Sequence, residues 1–436
     1  MARGRKKEEL TLEEKLERAL VPVEEQPYEV PENWCWVYQN VACQLGDGEK
    51  RNDEEHPYLE VKYLRGNKEA DIKKAGKYIE TGTKIILVDG ENSGEVFEVF
   101  EDGYMGSTFK TLNISSGINE KYLLYFVDSK RDLLRNSKTG SAIPHLNKKL
   151  FFSLEFPLPP LQEQQRIVEK IESLFAKLDE AKEKVQEVMY LSEIRNIKLV
   201  NLAFMGKLIG ITNVCMVPLF DIVEDIKIGP FGSSLHKKDY IMNGNPVINP
   251  KHINQQKINP DRKVTITDEK AKDLSAYVLQ ENDIIMGRRG EMGRTAPVSL
   301  KEKGYICGTG SLIIRLKKGF RADLYSQILA SQRVINYLEQ NSVGSTMKNL
   351  NEKIVKQIPV PYFTKVQQEK LMFNLESMLA DEKQVADKLE EMISVITLMK
   401  KSILAKAFRG ELGTNNLNEE SSVELLKQIL KQGHME

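Results

Sequence analysis

The sequence lacks most of what would mark a membrane protein, a metal site or a nucleotide-dependent enzyme. No stretch approaches the roughly 18 apolar residues of a membrane-spanning helix, and the opening MARGRKKEEL has no signal-peptide core. The four cysteines, Cys35, Cys43, Cys215 and Cys307, show no CxxC spacing and read as buried thiols in a reducing compartment, not as a metal site. The five histidines, His56, His145, His236, His252 and His434, are scattered, with no HExxH and no Cys/His cluster to hold zinc. A GxxxxGK[ST] phosphate loop is absent, as is GxGxxG after a strand, and GTGS at 308–311 reads as a structural turn. No Ser-His-Asp arrangement can be argued from spacing. Sixty-three basic residues balance 63 acidic ones, so any nucleic-acid surface must be local. These absences point to a soluble, cytoplasmic binding and scaffolding protein, with no membrane, no metal and no catalytic residues.

What the chain does have is a long helix that occurs twice. The first copy follows FPLPPLQEQQRI and runs from about Leu161 to Met205; the second follows IPVPYFTKVQQEKL and runs from about Thr364 to Arg409. At a shift of 204, Ile167 lands on Leu371, Ile171 on Leu375, Leu174 on Met378, Leu178 on Glu382, Val185 on Leu389 and Val188 on Met392. No gap is needed until LAFMGKL meets KAFRGEL, and a repeat of that length is read first. Apolar steps of four and three through Leu371, Leu375, Met378, Val385, Leu389, Met392, Ile396 and Met399 predict a supercoiled seam, interrupted at Glu382. Neither helix can bury such a stripe alone, and its twin is the obvious partner.

At 436 residues the chain exceeds one core. Residues 1–33 form a charged arm, with Thr11 and Glu14 spaced as a capping box. Residues 34–155 are a globular unit of short strands, among them Tyr58–Tyr63, Lys84–Val88, Glu95–Phe100 and Thr108–Ile114, with a helix near Glu120–Asp128. Residues 156–210 are the first helical region, 216–357 a second globular unit, 358–412 the second helical region, and 413–436 a polar tail. The tail reads as a solvated appendage ending in the amphipathic VELLKQILKQ. The second unit repeats the plan of the first: KIILVDGENSGEVFEV meets DIIMGRRGEMGRTAPV, PYLEVKYLRGN meets PVINPKHINQQ, and GSAIPHLNKK meets GSTMKNLNEK. The fold class is therefore α+β: two mixed units separated by two long helices that form an antiparallel coiled coil, with internal pseudo-twofold symmetry. Helices of about 45 residues would span roughly 65 Å, commensurate with about two turns of duplex.

The loops carry the candidate DNA contacts. In the second unit, IGPFGSSLHKKDY offers Ser233, Ser234 and Lys237 on a glycine-broken loop suited to phosphate oxygens. GRRGEMGR offers Arg288, Arg289 and Arg294, whose forks match guanine edges or phosphates. Lys251 and His252 follow a strand. In the first unit the matching positions are Lys62, Tyr63 and Arg65, Asn92 in VDGENSG, and Lys110 in STFKTL; asparagine can read adenine. Solvated turns and ordinary salt bridges are the alternative at each. Loop residues that differ at matched sites are what two different half-sites require.

The chain resembles the specificity subunits of type I restriction–modification systems, through PYEVPENWCWV, FPLPPLQEQQRIVEKI, GPFGSSL and SILAKAFRGEL in that order. The resemblance implies two target recognition domains, each reading half of a split double-stranded DNA sequence. It implies that Ile167, Ile171, Leu174, Leu178, Val185, Leu371, Leu375, Met378, Val385 and Leu389 belong to helices that pair and dock modification subunits, two of them. Those subunits carry adenine-N6 methyltransferase chemistry and S-adenosylmethionine; restriction subunits with ATP and Mg join them. In two places the chain departs from that pattern. LAFMGKL differs in charge from KAFRGEL, and the first unit lacks a GPFGS-like opening. A fused restriction–methylation enzyme's specificity subunit, or a protein tether that never meets DNA, are the rival readings.

Overall fold

The computed structural model describes residues 10–52, 54–137, 144–231, 234–342 and 349–432. It divides into two compact units, one of Met1–Glu183 with Ile393–Glu436, the other of Lys184–Met392. The two long helices, Leu161–Phe204 and Lys365–Phe408, each have 44 residues, and each contributes to both units.

In the first unit, Cys35–Tyr38 pairs antiparallel with Glu155–Leu158, placing Pro157 opposite Trp36. A proline cannot donate to a ladder, which suits this two-stranded edge. A four-stranded sheet follows in the order Cys43–Gly46, Phe109–Ile114, Lys84–Leu87, Val96–Glu98. A parallel pair, His56–Leu59 with Gly103–Met105, builds the second sheet. The second unit repeats each device. Met216–Pro218 pairs with Pro359–Pro361. The four-stranded order is Val223–Ile228, Ser311–Leu316, Asp283–Gly287, Thr295–Pro297, and Asn245–Ile248 lies parallel to Ile306–Cys307.

The duplication extends to single side chains. Gln164 donates through Nε2 to the carbonyl of Pro159 at 3.0 Å and accepts from the Asn119 amide at 2.7 Å. Gln368 donates to Phe363 at 2.9 Å and accepts from the Arg321 amide, also at 2.9 Å. Tyr122 and Tyr325, both buried, donate to the carbonyls of Pro157 and Pro361. Asn147 and Asn351 each cap a short helix by accepting the amide three residues on. Residues 140–143 and 344–348, the front of the third repeated pair, lie outside the described residues. Both long helices end on a left-handed glycine, Gly206 at φ +68° and Gly410 at φ +73°, just past the buried Phe204 and Phe408.

Within each unit the two long helices run antiparallel. In the first, Lys400 donates to Asp179 at 2.6 Å and lies over the Phe175 ring at 4.8 Å. In the second, Arg195 Nε and Ser192 Oγ donate to Glu382 at 2.7 and 2.6 Å, and Asn374 donates to the carbonyl of Leu208. In the second unit the partner's number falls from Leu208 at Asn374 to Arg195 and Ser192 at Glu382, which defines the direction.

Three expectations need correction. Cys215 is exposed, while Cys35, Cys43 and Cys307 are the buried thiols expected. The polar tail is not a solvated appendage. Its helix Ser422–Lys431 buries Leu426, Ile429 and Leu430 in the first unit's core and packs on the capped arm helix Leu12–Ala19. Arg166 bonds Thr414 O and Glu419, and Trp34 donates to Asn415, so the segment before that helix is held too. The cause is amphipathic: a three-residue apolar set buried at about 1.5–3 kcal/mol per side chain outweighs polar flanks. The strand placed at Tyr58–Tyr63 stops at Leu59, and Val61–Leu64 is a helical turn.

Candidate nucleic-acid interface

In the second unit four loops converge because glycine lets their backbones touch. A Cβ on Gly229 would stand 2.0 Å from the Gly308 carbonyl oxygen, one on Gly308 2.3 Å from Asn249 Oδ1, and one on Gly310 2.9 Å from Pro250 Cδ. The GTGS segment is thus the hinge of this junction. Its Gly310 carbonyl accepts the Arg288 amide at 2.9 Å, and the Gly308 amide donates to Ile248.

The structure sorts the predicted residues of this unit by exposure. Arg288 is 4% exposed. Its Nε donates to Asn349 Oδ1 at 3.1 Å and its guanidinium lies 5.1 Å from the Phe231 ring, while Nη1 is buried without a hydrogen-bond partner. Burial, then the neighbouring Arg289, hold its pKa below the usual arginine range. Arg289 is half-buried at the same turn, its backbone bridged to Asn349. Arg294 donates to Glu291 at 2.9 Å and to the Pro250 carbonyl at 3.3 Å, so it braces the turn. Lys251 is exposed, 3.5 Å from Asp261. His252 is buried: Nδ1 accepts the Asn249 amide at 3.1 Å, which makes it a cap, and burial lowers its pKa. Lys237 is exposed on the turn Lys237–Asp239, and the half-buried Ser234 donates its amide to Phe231 O. Ser233 lies outside the described residues. Arg289, Lys251 and Lys237 therefore present charge outward, while Arg288, Arg294 and His252 build the turn beneath.

The first unit answers with different chemistry. Lys62 stands exposed on the helical turn Val61–Leu64. Tyr63 donates to Glu101, which raises its pKa, and its ring packs tilted against Phe100, the centroids 5.4 Å apart. Arg65 pairs with Glu95, which also holds Arg131. Asn92 is half-buried, its carbonyl accepting the Glu95 amide. Lys110 donates to Asp47 at 2.6 Å, and Lys110, then Lys77, hold that carboxyl below its usual range. Where the second unit joins Arg289 to Asn349, the first joins Asp89 to His145, 2.6 Å apart.

Sequence reading missed two features. Phe231, 55% exposed beside Arg288, is one: an apolar loop residue carries no charge or hydrogen-bonding signal in the sequence. In the first unit, Arg51 lies 3.8 Å from the Tyr78 ring and Lys73 4.9 Å from Tyr58. The alternation of basic and aromatic residues in EKR, HPYL, IK and GKYI was the available signal.

On the helices, Ile167, Ile171, Val185, Leu371, Leu375 and Leu389 are buried, and Leu174 and Leu178 are half-buried. Met378 and Val385 are not in the seam: they are 44% and 39% exposed, and Met392 is 50% exposed. The facing row is offset by one residue, through the half-buried Leu379, Ala386 and Ile393. Two apolar rows run side by side, and an apolar count cannot tell them apart. The true row also uses a small alanine and, at Lys400, a long aliphatic stem whose ammonium reaches a carboxylate.

Among the described residues no helix is long and apolar enough to cross a membrane, and no group of three or more His, Cys, Asp or Glu could hold a metal ion.

Two units of one strand plan, each with its own loop tips and joined through paired helices, define a duplicated presentation scaffold. The chain belongs to the type I restriction modification DNA specificity domain family, whose model matches residues 39–189 and again 221–405. The type I restriction enzyme MjaVIII specificity subunit of Methanocaldococcus jannaschii is 36% identical over 149 residues, covering 32% of this chain and 35% of that one. The EcoBI specificity subunit of Escherichia coli is 22% identical over 315 residues, covering 67% and 66%. The chain thus spans about a third of the first relative's length and just under two thirds of the second's. Among solved structures, a chain from a type I R-M system complex has a TM-score of 0.65 at 18% identity, covering 88% of this chain and 100% of that one. The HsdS subunit from Thermoanaerobacter tengcongensis has a TM-score of 0.50, also at 18% identity, covering 89% and 100%. At that identity the likeness shows the fold.

Proposed function

We propose that this chain is the DNA-recognition subunit of a type I restriction–modification complex. Each unit reads one half of a two-part target, and the chemistry belongs to other subunits. The observation that carries this is the pairing of identical frames with unlike tips. The same glutamine, tyrosine and asparagine bonds hold both units, yet Asp89 and His145 stand where Arg289 and Asn349 stand. A protein that met one partner twice would keep its tips alike; one that reads an asymmetric sequence must vary them.

In this reading Arg289, Lys251 and Lys237 meet phosphates or base edges, while Arg288 sets the turn. Modification subunits, two per chain, supply adenine methylation with S-adenosylmethionine, and restriction subunits add ATP- and Mg-dependent cleavage. The complex works in the cytoplasm, and this chain alone turns over nothing. Methylome sequencing of cells that express the chain with its modification subunit tests the proposal. A two-part methylated motif that appears only with this chain is the expected result; methylation that ignores the chain would overturn it.

A further inference from the structure

Phe231 is an exposed ring on a fixed mount. It leaves the strand Val223–Ile228 through Gly229 and Pro230, both buried. The Gly229 amide donates to the Ser311 carbonyl at 3.0 Å, and its approach to Gly308 leaves no room for a side chain. Pro230 fixes its own φ, and the Phe231 carbonyl accepts the Ser234 amide at 2.7 Å. Behind the ring lies the buried Arg288 guanidinium, held by its Nε bond to Asn349 and by its amide on the Gly310 carbonyl. Arg288 Nη1 is buried and has no partner among the described residues. The guanidinium is therefore placed for its face, with part of its hydrogen-bonding capacity unspent.

The first unit does not repeat this at the matching place. Its strand Cys43–Gly46 pairs with Phe109–Ile114 as Val223–Ile228 pairs with Ser311–Leu316. It continues into Asp47 and Gly48, and Lys110 and Lys77 hold the Asp47 carboxylate. In the second unit Arg289 shares the turn of Arg288, and the loop that carries Phe231 goes on to the exposed Lys237 and Lys238. These cations suit a phosphate backbone. A phenyl ring set beside them has no polar edge with which to tell one base from another. It can read only how bases stack or where an apolar group stands.

We propose that Phe231 is a specificity-determining residue of the second unit: an apolar wedge, with Arg288 as its positioning residue, that enters between two base pairs of its half-site and selects a step that unstacks easily. The proposal rests on the function proposed above. A loosely held side chain pressed against stacked bases would yield. A ring with a buried guanidinium behind it and its backbone tied on both sides does not. Contact with a thymine methyl group would need no such mount. The favoured step is of the pyrimidine–purine kind, which kinks most readily. The deformation is confined to one half-site, because the other meets Asp47 at the matching place.

Equilibrium binding of the full chain, assembled with its modification subunit, to duplexes that carry one abasic site at successive positions tests this. A missing base lowers the cost of opening a step. Wild type should therefore bind tightest, by about tenfold, when the abasic site falls at one step of one half-site. Phe231→Ala should weaken binding to intact DNA about tenfold and erase that preference, with an unchanged melting curve. Arg288→Lys keeps a cation behind the ring and should retain the preference, whereas Arg288→Met should flatten it. An abasic profile that is the same in wild type and Phe231→Ala would overturn the wedge. A thymine-to-uracil exchange that reproduces the effect of Phe231→Ala would assign the ring to a methyl group and equally overturn it. Shedding of the modification subunit by Phe231→Ala, read by native mass spectrometry, would assign the ring to a protein partner, with the same consequence. A wild-type complex that prefers no two-part sequence would overturn the underlying reading and the wedge with it.

Discussion

Gln164 and Gln368 make the same pair of hydrogen bonds in two different units. Each buried amide donates to the carbonyl just before its long helix and accepts from a backbone amide of the adjoining strand domain. The side chain therefore fixes where each helix leaves its domain. Replacing Gln164 with Leu strands the Asn119 amide and the Pro159 carbonyl, and should destabilise the first unit by about 2–4 kcal/mol. Trp34 and Trp36 both lie in that unit, so the midpoint of urea unfolding by tryptophan fluorescence should drop. Gln368→Leu should leave that midpoint in place and advance labelling of the buried Cys307 in the second unit.

His252 gives the second unit a pH dependence. Its folded pKa is lowered, by burial first and then by Lys251, so the neutral ring is the form the fold accepts. Unfolding lets the ring take a proton at its ordinary value of about 6.5. The stabilisation is complete above that value and declines as pH falls below it. Between pH 7.5 and 5.5 the second unit should lose up to about 1 kcal/mol, read by urea titration of Cys307 labelling. The His252→Asn variant should lose that slope; an unaltered slope would place its origin elsewhere.

Arg288 and Arg289, adjacent in sequence, should separate by assay. Arg289→Ala should leave melting unchanged, weaken binding at one half-site only, and reduce the salt slope of binding by about 0.9 if one phosphate contact is lost. Arg288→Ala removes a buried side chain bonded to Asn349 and should lower the melting temperature of the second unit. Equal effects of the two on melting and on binding would refute this division.

The tail helix should behave as core. Leu426→Ala should cost the first unit about 2–5 kcal/mol, because the leucine is fully buried among residues from both ends of the chain. Chemical denaturation followed at Trp34 and Trp36 would show it. A loss below about 0.5 kcal/mol would return the tail to the role of an appendage.

Most of the legible part of this molecule is what repeats. The bounds of both long helices, the matched strands and the capping box at Thr11 follow from residue type and spacing alone. Burial was less legible. Arg288 and Arg294 look alike beside their glycines, and only the packing of Phe231, Pro250 and Asn349 shows that both support the turn. His252 could not be told from a surface histidine, because its cap depends on a backbone amide that no side-chain pattern records. The offset between Met378 and Leu379 was hidden for a related reason: both are apolar, and which one faces inward depends on the opposing helix.

The exposed Met378 and Met392 leave two thioethers open to peroxide on the outer side of a helix whose inner side is closed. Conversion to sulfoxide would turn that greasy strip polar while sparing the buried row and both sets of loops. A preparation aged in air would then keep its melting curve while gaining an oxygen atom at each of these methionines, and a sulfoxide reductase would remove it.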